Sequence, residues 1–243
     1  RHCVVGRPCP RAKIAATVRR GSQGTHVIKH LPNALTLLRL VLAPLVALAV
    51  WQSLAIPVDA AATAPQAFAP LKAQAQGWAL AAAIMFVLAA LTDLFDGMAA
   101  RALDAHSKFG RIIDPIADKA LVGLPLVVLS VIALLQAWPL ALPIAIASAV
   151  IVGRDLLITW LRFRAPDGEG VRVSNLAKWK TAIELVAVGI PILLSAAPSI
   201  VSMLGAGDGF AVSDALVTSW VGVLALAAAL SANTASQYLV ARS

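Results

Sequence analysis

Acid is absent from the first 58 residues of this chain, and charge of either sign is scarce throughout: 20 Lys+Arg and 12 Asp+Glu make up 13% of 243 residues. Aromatic residues supply only 5%, with one tyrosine, and the two cysteines, Cys3 and Cys9, both fall in the amino-terminal arm. Each shortage excludes something. A soluble domain is roughly half apolar and a quarter charged, whereas this chain is 60% hydrophobic with a mean hydropathy of +0.84. Two arm cysteines and the scattered His2, His26, His30 and His106 offer no zinc spacing. Nucleic-acid binding calls for a basic face with interleaved aromatics, and none remains once the basic residues are placed. The chain begins with Arg1 rather than Met, which reads as a trimmed or fragmentary start.

What is present is a series of apolar runs, each about as long as the ~20 residues one helix needs to cross a bilayer. The hydrophobic pattern predicts an all-α membrane protein with six transmembrane helices, near 33–54, 77–97, 111–136, 139–162, 176–197 and 213–239. Six spans put both termini on one side. With that side cytoplasmic, the arm (Arg1, Arg7, Arg11, Lys13, Arg19, Arg20, Lys29), the second loop (Arg101, Lys108), the fourth (Arg164, Arg172) and Arg242 gather the basic residues, and Lys72 alone falls in an outer loop. The excess of +8 thus serves orientation by the positive-inside rule. Two segments stand apart. Residues 1–30 read as a basic arm for a lipid surface or for targeting, and 57–76, rich in Ala and Pro, as an exposed linker; residues 31–243 form the helical domain. Most of the six tryptophans fall near helix ends, at headgroup level.

Chemistry concentrates between Thr92 and Lys119, TDLFDGMAARALDAHSKFGRIIDPIADK. Asp93 and Asp96 are three apart and Asp114 and Asp118 four apart, so each pair shares a helix face. A helix, a polar turn and a returning helix bring all four carboxylates toward one level. Each acid costs roughly 2.5 to 3.5 kcal/mol at the centre of a membrane helix, less toward the interface, so four together need a reason. Single acids of this kind also mark ion paths or buried ion pairs. Four in register suit two divalent cations, Mg²⁺ or Mn²⁺, held by hard oxygen ligands, and paired metals assist in-line phosphoryl displacement.

The pattern Asp-x2-Asp-Gly-x2-Ala-Arg-x8-Gly-x3-Asp-x3-Asp resembles the signature of the CDP-alcohol phosphatidyltransferase family at every fixed position. The resemblance implies a six-helix bundle, usually a homodimer, in which Asp93, Asp96, Asp114 and Asp118 hold two Mg²⁺ or Mn²⁺ ions and Asp118 is also the catalytic base. It places CDP-diacylglycerol on Asp96, Gly97, Ala100, Arg101 and Gly110. Small residues there let a nucleotide approach the backbone, although they also serve close helix packing; the Arg101 guanidinium suits the diphosphate.

Beyond the signature, LPNALTLLRL (31–40), Asp114 to Lys119, IVGRDLLITWLRFR, VSNLAKWKTAIELV and the terminal SQYLVARS resemble the phosphatidylglycerophosphate synthase branch. That likeness implies sn-glycerol 3-phosphate as acceptor, with Arg154, Arg162, Lys178, Lys180 and Arg39 around its phosphate. Plain interface anchoring is the other reading of these cations; Arg39 either snorkels or meets an anion. Asp155 stands where that branch usually has Glu, and is the expected ion partner of Arg154. A bacterial cytoplasmic membrane is the default location, and the arm keeps the mitochondrial inner membrane open. Two other functions share these features. One is the same reaction with another acceptor, as in cardiolipin or phosphatidylinositol phosphate synthesis; the other is a divalent-cation transporter whose acids line a path.

Overall fold

The computed structural model describes residues 34–56, 65–103, 110–164, 175–205 and 212–240. Within these, the side chains of 65–67, 94–103, 110–112, 114, 162–164, 175–180 and 238–240 are not described. The arm and the turn at 104–109 therefore lie outside the described residues. Those that are described form six helices and no strand: α1 Ala34–Leu54, α2 Pro65–Leu103, α3 Gly110–Leu135, α4 Ala141–Arg164, α5 Asn175–Met203 and α6 Asp214–Val240. All six contain a stretch long and apolar enough to cross a membrane, and the chain is a multi-pass membrane protein.

Two boundaries depart from the hydropathy pattern. Helix α2 starts at Pro65, so the second half of the expected linker 57–76 is helical. Proline suits the first helical position, where its missing N–H has no partner in any case, and PQAFAPLKAQAQ is otherwise rich in strong helix formers. Pro70 sacrifices one early hydrogen bond without ending the helix. Helix α5 runs to Met203, past Pro191 and Pro198, since packed membrane helices accommodate internal prolines. It stops where Gly205 takes a positive φ of 72° and donates to the Ser202 carbonyl.

The packing inverts the order of a soluble core. Alanine dominates the buried positions, among them Ala43, Ala49, Ala82, Ala89, Ala133, Ala187, Ala196 and Ala227. Leucine, valine and isoleucine cover the outside, as at Leu45, Leu88, Leu142, Ile146 and Leu226. Lipid is as apolar as leucine, so helices associate by close contact, and small residues allow it. The main contacts join α2 to α5, α3 to α4, α4 to α6 and α5 to α6. Between α2 and α5 the fit is close at Gly189, where an added Cβ would stand 3.0 Å from Cε1 of Phe86.

Two side chains pin the bundle from within. Trp220, near the start of α6, is buried in the bundle, and its Nε1 donates to the Ala187 carbonyl at 2.7 Å, joining α6 to α5. Gln136 donates through Nε2 to the carbonyls of Leu54 at 2.6 Å and Ile56 at 3.2 Å, satisfying the open end of α1 from the α3–α4 turn. That turn is a Schellman motif: Trp138 N–H donates to Ala133 and Ala137 N–H to Leu134. Ala137 holds the left-handed position with φ 50°.

Candidate active site

The signature occupies the last part of α2 and the start of α3. Asp93, Asp96, Gly97, Ala100 and Arg101 follow one another on α2; Gly110, Asp114 and Asp118 recur at four-residue steps on α3. The i, i+3, i+4 spacing keeps each set on one helix face. Asp93 lies in the last third of α2 and Asp118 in the first third of α3, and the two are within electrostatic reach of one another, so they lie toward the same end of this helix pair. Asp118, part-buried, is within electrostatic reach of Asp93 and Asp155 and of the cations Lys119 and Arg39. The side chains of Asp96, Ala100, Arg101 and Asp114 are not described, and the surroundings of Gly97 and Gly110 are likewise outside the described set.

Arg39 of α1 is 2% exposed, and its Nη1 stands 2.7 Å from Oδ1 of Asp93. It meets an anion, as its depth in an apolar helix demands, and that anion is the first acid of the signature. Among the described side chains no three metal-ligating groups cluster, because two of the four acids fall outside them. The donor chemistry of the described pair nonetheless fits hard divalent cations: Asp93 and Asp118 are carboxylates on two helices within electrostatic reach of one another, and a guanidinium already stands against Asp93 as a cation.

A second charged network lies beside this one. Asp155 on α4, 6% exposed, receives Arg154 Nη1 on Oδ1 at 2.8 Å and Lys119 Nζ on Oδ2 at 2.8 Å. Arg154 Nη2 donates to Thr234 Oγ1 on α6 at 3.1 Å, and that hydroxyl donates to the Ser231 carbonyl at 2.8 Å. The expected Arg154–Asp155 pair is therefore present. Lys119 and Thr234 were not legible as members: Lys119 was signalled only by following the last signature acid, and Thr234 by nothing beyond a hydroxyl in an apolar span. Arg162 lies two turns beyond Arg154 on α4, and Lys178 and Lys180 open α5, all three with side chains outside the described set.

Comparison with known proteins gives the family. The CDP-alcohol phosphatidyltransferase family model matches residues 29–233. A "CDP-diacylglycerol--glycerol-3-phosphate 3-phosphatidyltransferase" of Cereibacter sphaeroides is 41% identical over 110 residues, 45% of this chain and 48% of the relative. A protein of the same name from Rickettsia felis is 34% identical over 176 residues, 71% of this chain and 80% of the relative. A rice "Cardiolipin synthase (CMP-forming)" is 35% identical over 163 residues, 63% of this chain and 46% of the relative. The chain spans about half the length of several of the curated relatives it matches, 48% for those from Cereibacter and one from Arabidopsis. No solved structure gives a significant match. With a family model covering most of its length and the full acid signature on two adjoining helices, the chain belongs to the CDP-alcohol phosphatidyltransferase family.

Proposed function

We propose that this chain transfers the phosphatidyl group of CDP-diacylglycerol to sn-glycerol 3-phosphate, forming phosphatidylglycerophosphate and CMP. The observation that carries the reading is the meeting, at one end of the bundle, of the Asp93–Asp118 carboxylates with the Lys119–Asp155–Arg154 network. The first is a place for a diphosphate with its counter-ions, the second a place for an acceptor that carries phosphate. The relatives from Cereibacter and Rickettsia bear the name of this reaction.

Asp118 takes the proton of the acceptor's primary hydroxyl, whose oxygen then attacks the phosphorus bearing diacylglycerol. The bond from that phosphorus to the bridging oxygen breaks, and CMP leaves with the electron pair. Asp93, Asp96, Asp114 and Asp118 hold two divalent cations, Mg²⁺ or Mn²⁺, which when bound neutralise charge on the diphosphate. Arg101 pairs with the diphosphate, while Gly97, Ala100, Gly110 and Asp96 receive the nucleotide. Arg154, Arg162, Lys178 and Lys180 gather the acceptor's phosphate. Arg39, seated on Asp93, is assigned to the acid cluster rather than to the acceptor. The acid end faces the cytoplasm in this reading, and the working unit is a homodimer in a bacterial cytoplasmic or mitochondrial inner membrane.

An acceptor panel with labelled CDP-diacylglycerol tests the reading. Label is expected to pass to glycerol 3-phosphate and not to inositol phosphate. Transfer to phosphatidylglycerol alone, the reaction named for the rice relative, removes it. Metal uptake into proteoliposomes without CMP release favours a transporter. Against transport, a path across the membrane calls for polar positions through several helices, and the α5 and α6 spans carry few charged ones beyond Glu184.

A further inference from the structure

One cation is enough to neutralise a buried carboxylate. Asp155 holds two, one on each oxygen, both at 2.8 Å. Lys119, Arg154 and Asp155 together carry one more positive than negative charge in a largely buried place; the further carboxylate in electrostatic reach is that of Asp118, the proposed base, and a group kept for proton transfer leaves these cations suited to an incoming anion. The guanidinium is immobilised further by Thr234. Its Nε is buried and meets no acceptor among the described residues, so one donor of a fixed cation is still open. Three helices converge to hold this geometry: α3 through Lys119, α4 through Arg154 and Asp155, and α6 through Thr234. A tie between helices requires neither the second cation nor the open donor. A receptor for a phosphate monoester uses both.

We propose that Lys119 joins Arg154 in binding the acceptor's phosphate, and that Asp155 is the positioning residue that sets the two cations side by side. The proposal rests on the reading that the acceptor is a phosphorylated alcohol, and it deepens it. Lys119 is the chain neighbour of Asp118, and Asp118 lies within electrostatic reach of both Lys119 and Asp155. A three-carbon alcohol anchored by its phosphate on these cations thus presents its free primary hydroxyl to the proposed base. A larger unphosphorylated headgroup gains nothing from the bracket, so the bracket selects acceptors as well as holding them. Asp155 touches neither substrate; it acts through the two cations.

The test uses the full chain in membranes or detergent, with each substrate varied while the other is saturating. Lys119→Gln and Asp155→Asn are each expected to raise the KM for glycerol 3-phosphate about tenfold or more, with the KM for CDP-diacylglycerol within about twofold of the parent. Lys119→Arg and Asp155→Glu are expected to recover most of that loss. Inorganic phosphate, competing against the acceptor, is expected to weaken as an inhibitor in the same two damaged variants. If Asp155→Asn does not accumulate folded, Lys119→Gln carries the test, because Asp155 there keeps Arg154. An unchanged acceptor KM in Lys119→Gln, with parent enzyme active on glycerol 3-phosphate, overturns the bracket and leaves the proposed function standing. Parent enzyme that uses a different phosphorylated alcohol removes the proposed function, and the same KM ratio measured on that alcohol then decides the bracket. Activity confined to unphosphorylated alcohols overturns both.

Discussion

A guanidinium 2.7 Å from a carboxylate that is proposed to take a divalent cation sets up a competition for that carboxylate. Arg39 is nearly sealed in α1, so it stays near Asp93 whether or not metal is bound, and at such distances its charge opposes an arriving cation. Arg39→Gln is therefore expected to tighten Mn²⁺ binding by roughly threefold to tenfold, followed by the resonance signal of free Mn²⁺ during titration; weaker binding would show that the arginine orients Asp93 instead. The acids themselves were legible in the chain because charge in an apolar run has few explanations. Their partners on other helices were not. Arg39 lies 54 positions before Asp93, and Thr234 lies 80 after Arg154. No spacing rule reaches across helices, and only the packing decides which cation meets which acid.

At the scale of the element, the turn between α3 and α4 carries a local contradiction. The Schellman geometry asks for a left-handed residue, and the chain supplies Ala137 where glycine relieves the clash between Cβ and the carbonyl. Ala137→Gly is expected to stabilise the fold by about 1 kcal/mol, read as a rise in the thermal midpoint in detergent, with no change expected in acceptor KM since the turn is at the opposite end of α3 from Asp118. Gly205 at the end of α5 already follows the rule. Helix α2 shows where the hydropathy pattern stops being informative. Its 39 residues make a rod of about 58 Å, nearly twice the hydrocarbon thickness of about 30 Å. Hydropathy marks the part that suits lipid and is silent about Ala- and Gln-rich turns beyond it, which are helical by propensity rather than by apolarity.

For the whole molecule, orientation is the property that the fold does not itself determine and the charge distribution does. The only two cysteines, Cys3 and Cys9, both lie in the basic arm, so the native chain already carries a sidedness probe. A membrane-impermeant maleimide is expected to label it in inverted vesicles and not in right-side-out ones; the reverse pattern would place the acid end on the far face. The six-span count was readable from apolar run lengths alone. The inverted packing was not, because hydropathy scores alanine and leucine alike as apolar and says nothing of which faces lipid. That inversion has a consequence for how the chain tolerates change. In a soluble protein, trimming a core side chain is the costly substitution and enlarging a surface one is cheap. Here Leu142 and Ile146, largely exposed, are expected to exchange at little cost with other residues that lipid accepts. Ala82 and Ala187, with no exposure, cannot gain a methylene without parting two helices. Substitution in the outer apolar coat is thus expected to be cheap, and enlargement of the alanines, chemically the blandest residues present, is expected to cost as much fold as loss of the acids costs function.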